Sequence, residues 1–440
     1  MPAKRLIPFF VVLLLSFTGA PFGDAAEEAA PAAIFNFMEQ PEPAYEWSIL
    51  ADRTFEGSRM LQLRVVSQEW HGVTWEHSVE VFEPARLSYP GHALLFVTGG
   101  SQPPKPASED TVQLGIQLAA AAGMRVAILH QVPNQPLFDG RKEDDAITET
   151  WLRYLKDGDE SWPLLFPMVK SAVKTMDAVQ ELSKKEFDQP IESFIITGAS
   201  KRGWTSWLTP VADQRIVATA PIVIDVLNFR AQMKHQQETW GEYSEQIIDY
   251  TSKGLIVEGE ETERERQLRR MMDPYTYREQ LVLPKLLVNG TNDPYWVVDA
   301  MKLYWSDLKG PKYALFIPNA GHGLDDGREK ALRSIAAFAR FNASGRELPE
   351  LDWAHQRVDD KRSMSLTVST DPAEVRLWHA ASSDLDFRDD RWTSQPMQKK
   401  DGEWHGSVTA ASGRNVAVYA EASFEVDGVP YSLCSLVIRD

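Results

Sequence analysis

The chain has 440 residues, 43% of them hydrophobic and 25% charged, an ordinary globular balance too long for one small core. Its net charge of −17 excludes a nucleic-acid binder working through a basic face and weighs against adhesion to anionic lipid. One cysteine, Cys434, excludes an internal disulfide, and its apolar, strand-like setting marks a buried structural thiol.

Lys4 and Arg5, the apolar run Leu6 to Phe17, and small residues through Ala25 and Ala26 form a secretory signal over residues 1–26. The run is too short to span a bilayer, and no later stretch is longer, so no membrane association is expected after signal removal. Secretion without disulfides points to the periplasm or the exterior of a bacterium. Residues 27–44, rich in Ala, Glu and Pro, read as a linker. Met60–Trp70 and Val73–Glu83 alternate apolar and polar residues around His71-Gly72, an antiparallel pair.

From residue 92 strands and helices alternate. Leu94–Thr98 ends in Gly99-Gly100, Thr111–Ala122 is helical, and Met124–His130 is the next strand. The strand before Ser200 follows, then Ile216–Ile224, Lys285–Val288, a helix over Tyr295–Asp307, Tyr313–Ile317 and the helix Arg328–Phe341. Helical insertions are expected at about 141–187 and 229–280. Such repeated units predict an α/β fold over 45–348, a doubly wound, mostly parallel sheet with helices on both faces. Short alternating runs after Pro349 predict a small β-sandwich over 349–440.

The chemistry centres on Phe194-Ile-Ile-Thr-Gly-Ala-Ser-Lys-Arg-Gly203, an apolar strand that breaks at glycine, delivers Ser200 and enters a helix. This is the nucleophile elbow of α/β-hydrolases, with the second glycine one place late, G-x-S-x-x-G. That fold requires an acid and then a histidine at later strand ends. Of the later histidines (235, 322, 355, 379, 405), only His322 follows a strand of the α/β region. Asp293 ends the strand before it and is the favoured acid; Asp225, one strand earlier, is the alternative. The backbone N–H of Lys201 and the Gly99-Gly100 turn supply the expected oxyanion hole. Lys201 and Arg202 place two cations at the elbow, with Arg202 a candidate substrate contact. The mixed-charge run Glu258–Arg266 reads as a solvated helix or a lid, and as a lid it would turn Trp240 and Tyr243 toward a ligand. Lacking H-E-x-x-H, paired cysteines and a P-loop, the chain calls for neither metal nor cofactor.

Gly198-Ala-Ser-Lys-Arg-Gly-Trp204, Val132-Pro-Asn-Gln-Pro136, Trp162-Pro-Leu-Leu-Phe-Pro-Met-Val169 and Asn289-Gly-Thr-Asn-Asp293 together resemble the PhoPQ-activated pathogenicity-related family. The resemblance implies a secreted bacterial α/β-hydrolase-like protein, linked to PhoPQ regulation and to antimicrobial-peptide resistance. The elbow spacing is also similar to that of glucuronoyl esterases, in which a basic residue after the serine assists the oxyanion, the place Lys201 holds here.

The expected function is a serine hydrolase cleaving an ester or amide of a small-molecule or peptide substrate through Ser200, Asp293 and His322. One alternative is a non-catalytic binding protein that keeps the fold as a scaffold. Another is a carbohydrate (uronate-type) esterase, with Trp378, Trp392 and Trp404 lining a glycan-binding face. Nothing in the sequence sets the oligomeric state.

Overall fold

The computed structural model describes residues 29–439, so the signal expected over 1–26 lies outside the described residues. Strands β1 (Glu46–Phe55), β2 (Ser58–Trp70) and β3 (Val73–Glu83) form an antiparallel meander. The alternating units follow: β4 (His92–Val97), β5 (Arg125–Leu129), β6 (Ser193–Ala199), β7 (Ile216–Ile222), β8 (Lys285–Gly290) and β9 (Lys312–Ile317). These runs are apolar nearly throughout because helices cover both faces of a parallel sheet; all five residues of β5 are buried.

The helices are α1 (Ala33–Glu39), α2 (Glu109–Ala122), α3 (Glu143–Asp157), α4 (Leu165–Glu186), α5 (Lys201–Ala212), α6 (Phe229–Trp240), α7 (Ile248–Thr251), α8 (Glu263–Met272) and α9 (Arg328–Ser344). Their ends are legible in residue type. Ser108 caps α2 by accepting from the Thr111 N–H at 3.2 Å, and Gly123 stops it at φ 67°. Thr262 and Glu265 form a capping box on α8.

The large sheet runs β1-β2-β3-β5-β4-β6-β7-β8-β9, with β5-β4-β6-β7-β8-β9 parallel. The sequence order reverses about β4, so the crevice beyond the carboxyl ends of β4, β6 and their neighbours is where ligands bind in open α/β sheets. This is the strand arrangement of the α/β-hydrolase type.

Three expectations change. The presumed linker contains α1, whose Ile34 and Phe37 are buried, Phe37 against Phe166. The helix expected over 295–307 is only two short 3₁₀ turns, Ala300–Leu303 and Trp305–Asp307. Side chains of α6 and its cap occupy carbonyls there: Gln236 binds Tyr295 O, Gln232 binds Ala300 O and Asn228 binds Leu303 O.

The third change concerns the C-terminal region, β10 (Leu351–Val358) to β18 (Ile438–Arg439). β10, β11 (Lys361–Val368), β14 (Gln398–Lys400) and β15 (Glu403–Thr409) form a separate four-stranded sheet. β12 (Glu374–Ser382), β13 (Thr393–Pro396), β16 (Asn415–Val426) and β17 (Val429–Cys434) continue the large sheet, β17 pairing with β9 at Cys434 and Ala314. This pairing covers an edge that β9 would otherwise leave open. Everything from Pro31 on clusters as one unit, so the region after 348 is not a detached sandwich. Trp392 is buried and Trp378 stacks on Tyr419 while donating to Glu421, so the three tryptophans do not line one exposed face. Cys434 is buried, its thiol pushed up by burial, with Sγ accepting from the Phe316 N–H.

Candidate active site

Ser200 leaves β6 and caps α5 at φ 58° and ψ −123°, a backbone costing on the order of 1–3 kcal/mol for a residue with a Cβ. Its N–H donates to Ile222 O at 2.9 Å, which fixes the turn against β7. The displaced glycine has a steric reason. A Cβ on Gly198 would lie 2.7 Å from Arg202 O, and one on Gly203 would lie 2.6 Å from Ile224 Cγ2 and 2.9 Å from Gly198 O. The second close approach of this elbow is therefore at 203, where α5 crosses the end of β7, and position 202 has room for a side chain.

His322 Nε2 stands 2.9 Å from Ser200 Oγ, and Nδ1 stands 2.8 Å from Asp293 Oδ2. A carboxylate only accepts, so Nδ1 carries the proton and Nε2 accepts from the serine hydroxyl. Asp293 is buried, and its other oxygen accepts from the Tyr295 N–H at 2.9 Å. The Tyr295 ring packs on the imidazole, centroids 4.1 Å apart, and burial together with Asp144 and Asp293 pushes its hydroxyl up to about 12. Loop 387–392 braces both partners from outside. Asn292 donates to the carbonyls of Arg388 and Asp390, each at 2.8 Å, while Asn319 exchanges two bonds with the Trp392 backbone.

Asp225 is not on the imidazole. It is buried, accepting from Asn289 Nδ2 at 2.6 Å and from the Tyr304 hydroxyl. Burial pushes its carboxyl up to about 7 despite those two bonds. Folding thus raises the pKa above its ordinary 3.8. The folded state keeps a proton that the unfolded chain has released, and stability falls as pH rises from about 4 through about 7. Asp225→Asn removes that loss: its melting temperature relative to wild type should climb between about pH 4 and about pH 7. A difference that stays flat in differential scanning fluorimetry would show that Asp225 does not titrate there.

The two elbow cations are both neutralised from within. Lys201 Nζ lies 2.9 Å from Asp144 Oδ2 and 3.7 Å from Glu143 Oε2. Arg202 is buried, makes two bonds of 2.7 Å to Glu143, and donates to Val132 O. Burial opposes ionisation of Glu143, but the Arg202 hydrogen bonds and charge prevail and hold it at about 2. The guanidinium also floors the turn after β4: a Cβ on Gly99 would lie 2.5 Å from its Nη2. Arg202 is thus a support under the turn, with its donors spent on Glu143 and Val132 O. Gly99 O accepts from the Gln131 N–H at 3.0 Å, and Gly100 takes φ 137°. Lys201, at the first position of α5, presents its N–H at a helix N-terminus, where partial positive charge favours an anion.

Ser200 and His322 open onto a chamber of ≈ 30 Å³ walled by Lys201, Trp204, Phe229, Tyr250 and Tyr295 among others. Neither lid residue expected at the ligand reaches it. Trp240 is covered by the Arg388 guanidinium, 3.9 Å from its ring, and Tyr243 donates to Glu258 at the wall of a second cavity. Sequence reasoning missed Glu143, Asp144, Tyr250 and Tyr295. The acids carried a helix-start signal in Glu143-Asp-Asp145, but their partners lie more than fifty residues away. Among the described residues, no group of three or more His, Cys, Asp or Glu is placed to hold a metal ion.

Over 404 residues the chain is 30% identical to autocrine proliferation repressor protein A of Dictyostelium discoideum, covering 87% of this chain and 78% of that protein. Its fold aligns with acetyl xylan esterase 1 from Thermoanaerobacterium sp. JW/SL YS485 at TM-score 0.48 and 13% identity, over 70% of this chain and 94% of that one. The S-formylglutathione hydrolase of Agrobacterium tumefaciens aligns at TM-score 0.44 and 12% identity, over 68% and 99%. These scores are too low to bear on activity, which rests on the site's own geometry. The profile of the PhoPQ-activated pathogenicity-related proteins matches residues 34–388, a span that holds Ser200, Asp293 and His322, and the chain belongs to that family.

Proposed function

We propose that the protein is a secreted serine hydrolase that cleaves an ester or amide through Ser200, His322 and Asp293. One observation carries the reading: Ser200 Oγ, the His322 ring and the Asp293 carboxylate are joined by contacts of 2.9 and 2.8 Å, with the serine on a left-handed turn at a helix N-terminus. In the reaction Oγ bonds to the substrate carbonyl carbon as its proton passes to His322 Nε2. The resulting oxyanion is held by the Lys201 N–H and the Gly99-Gly100 turn, and Asp293 stabilises the imidazolium. The carbon–leaving-group bond then breaks, and His322 returns the proton to the departing oxygen or nitrogen. Water repeats the sequence on the acyl-enzyme.

Lys201 is paired with Asp144, so its side chain offers no free cation to an anionic uronate ester, which favours a neutral substrate. A fluorophosphonate bearing a reporter group tests the class: the folded protein should be labelled at Ser200, and the Ser200→Ala variant should not. Absence of a Ser200 adduct would overturn the proposal. The small chamber favours a second reading, a binding protein whose constellation is idle, in keeping with a relative named as a repressor. That reading requires wild-type protein to resist the reagent.

A further inference from the structure

A second cavity, ≈ 640 Å³, is lined from both helical insertions and α5, and Trp204 and Phe229 form walls of both this cavity and the Ser200 chamber. Two side chains therefore separate the nucleophile from a space of small-molecule size. Both are tied to the end of α8. The Trp204 indole donates to Met272 O at 2.6 Å, and the Phe229 N–H donates to Asp273 Oδ2 at 2.8 Å. Asn228, in the left-handed region at φ 59°, bonds the same carboxylate. The phenyl ring thus stands on a short, carboxylate-held turn, which a rotation can move without disturbing β7.

The chemistry of the cavity identifies its ligand. Trp151, Met233, Leu255, Val257, Leu268 and Met272 supply an apolar lining. The charged groups around it are engaged. Glu261 holds Arg269 and Arg230, Glu258 holds the Tyr243 hydroxyl, and Glu265 is bound to Thr262. Lys234, at the rim, lies 3.5 Å from Glu238, and Asp273 serves backbone N–H groups. An anionic ligand would have to break an ion pair of Arg269, Arg230 or Lys234, whereas an apolar one needs only to displace water.

Polarity of the site sets which half of a substrate goes there. His322 must reach the leaving group, and its side chain is 23% exposed. With the leaving group taken to the exposed edge of His322, the acyl half is the part left to the Trp204–Phe229 wall. The chamber is only ≈ 30 Å³, so a long chain has to cross the partition into the larger cavity.

Resting on the serine-hydrolase reading, we propose that the larger cavity is the site for a long unbranched acyl chain of the substrate, admitted past Phe229. Each methylene it buries strengthens binding several-fold.

Two alkyl phosphonofluoridates, ethyl and octyl, test this on the intact protein. Ser200 Oγ bonds to phosphorus as the P–F bond breaks, His322 takes the proton and fluoride departs. The octyl reagent should label Ser200 about tenfold or more faster than the ethyl one. Leu255→Trp, which fills the cavity from a loop, should lower that octyl-to-ethyl ratio about tenfold. Leu268→Trp provides the same reading from α8 if the loop variant misfolds, and Phe229→Ala should raise the octyl rate. Direct titration of octanoate into Ser200→Ala adds a readout without turnover: binding that Leu255→Trp abolishes is expected. Labelling by both reagents with a ratio near one, or a ratio unmoved by either tryptophan, overturns the acyl site and leaves the hydrolase standing. Labelling by neither overturns both.

Discussion

Ser200→Ala should lower ester hydrolysis by about 10⁴- to 10⁶-fold, with its melting temperature close to wild type. The chemistry sets the size of the loss. The nucleophile 2.9 Å from the imidazole is removed, and the helix N-terminus and the turn after β4 retain only their binding contribution. The fold has little stake in the hydroxyl, because the elbow is fixed by backbone bonds of Ser200 to Ile222 and of Trp204 to Ser200. His322→Ala should fall by a similar amount, and the double variant should fall no further, since the two groups act as a unit. Burst kinetics with a nitrophenyl ester resolve acylation from deacylation. An alanine variant that retains more than about one hundredth of wild-type turnover would mean another nucleophile attacks.

Much of the site could be read before the fold because chain order is itself a geometric constraint. In a parallel sheet every strand delivers its carboxyl end to the same edge, so Ser200 after β6, Asp293 after β8 and His322 after β9 had to meet there. The choice between Asp293 and Asp225 followed the same logic, since only the strand beside β9 brings its end to the histidine loop. What could not be read lies across the chain. Glu143 and Asp144 start α3 with the acidic pattern of any helix N-terminus, and nothing local shows that they face Lys201 and Arg202. The residues 295–307 carry a helical composition, yet α6 and its cap take their carbonyls, an outcome set by packing partners 59 to 75 residues away. The C-terminal strands were legible as strands, but the pairing of β17 with the edge of β9 depends on which edge the rest of the fold leaves open.

Arg202→Met should destabilise the protein by about 3–5 kcal/mol, toward the lower figure, and reduce kcat more than it raises KM. The arginine side chain is 10% exposed and spends its donors on Glu143 and Val132 O. Methionine fills the volume but leaves the Val132 carbonyl without its donor and Glu143 without its principal partner. Glu143 is 39% exposed, so water screens part of the loss and Lys201 at 3.7 Å offsets some of the remainder. Arg202→Lys should recover little, because an ammonium cannot make the paired bonds of the guanidinium fork. The sign of the pH dependence separates this account from a packing defect. Folding holds the Glu143 carboxyl at about 2, below its ordinary 4.5, so the ion pair contributes fully above about pH 4.5 and is lost as pH falls toward 2. The deficit of Arg202→Met in urea unfolding should therefore be largest near neutrality and shrink in acid. A deficit independent of pH would assign the loss to volume and to the Val132 bond alone. The kinetic effect follows from the same side chain: without the guanidinium beneath it, the Gly99-Gly100 turn loses its floor, and the oxyanion is the species that turn is positioned to hold.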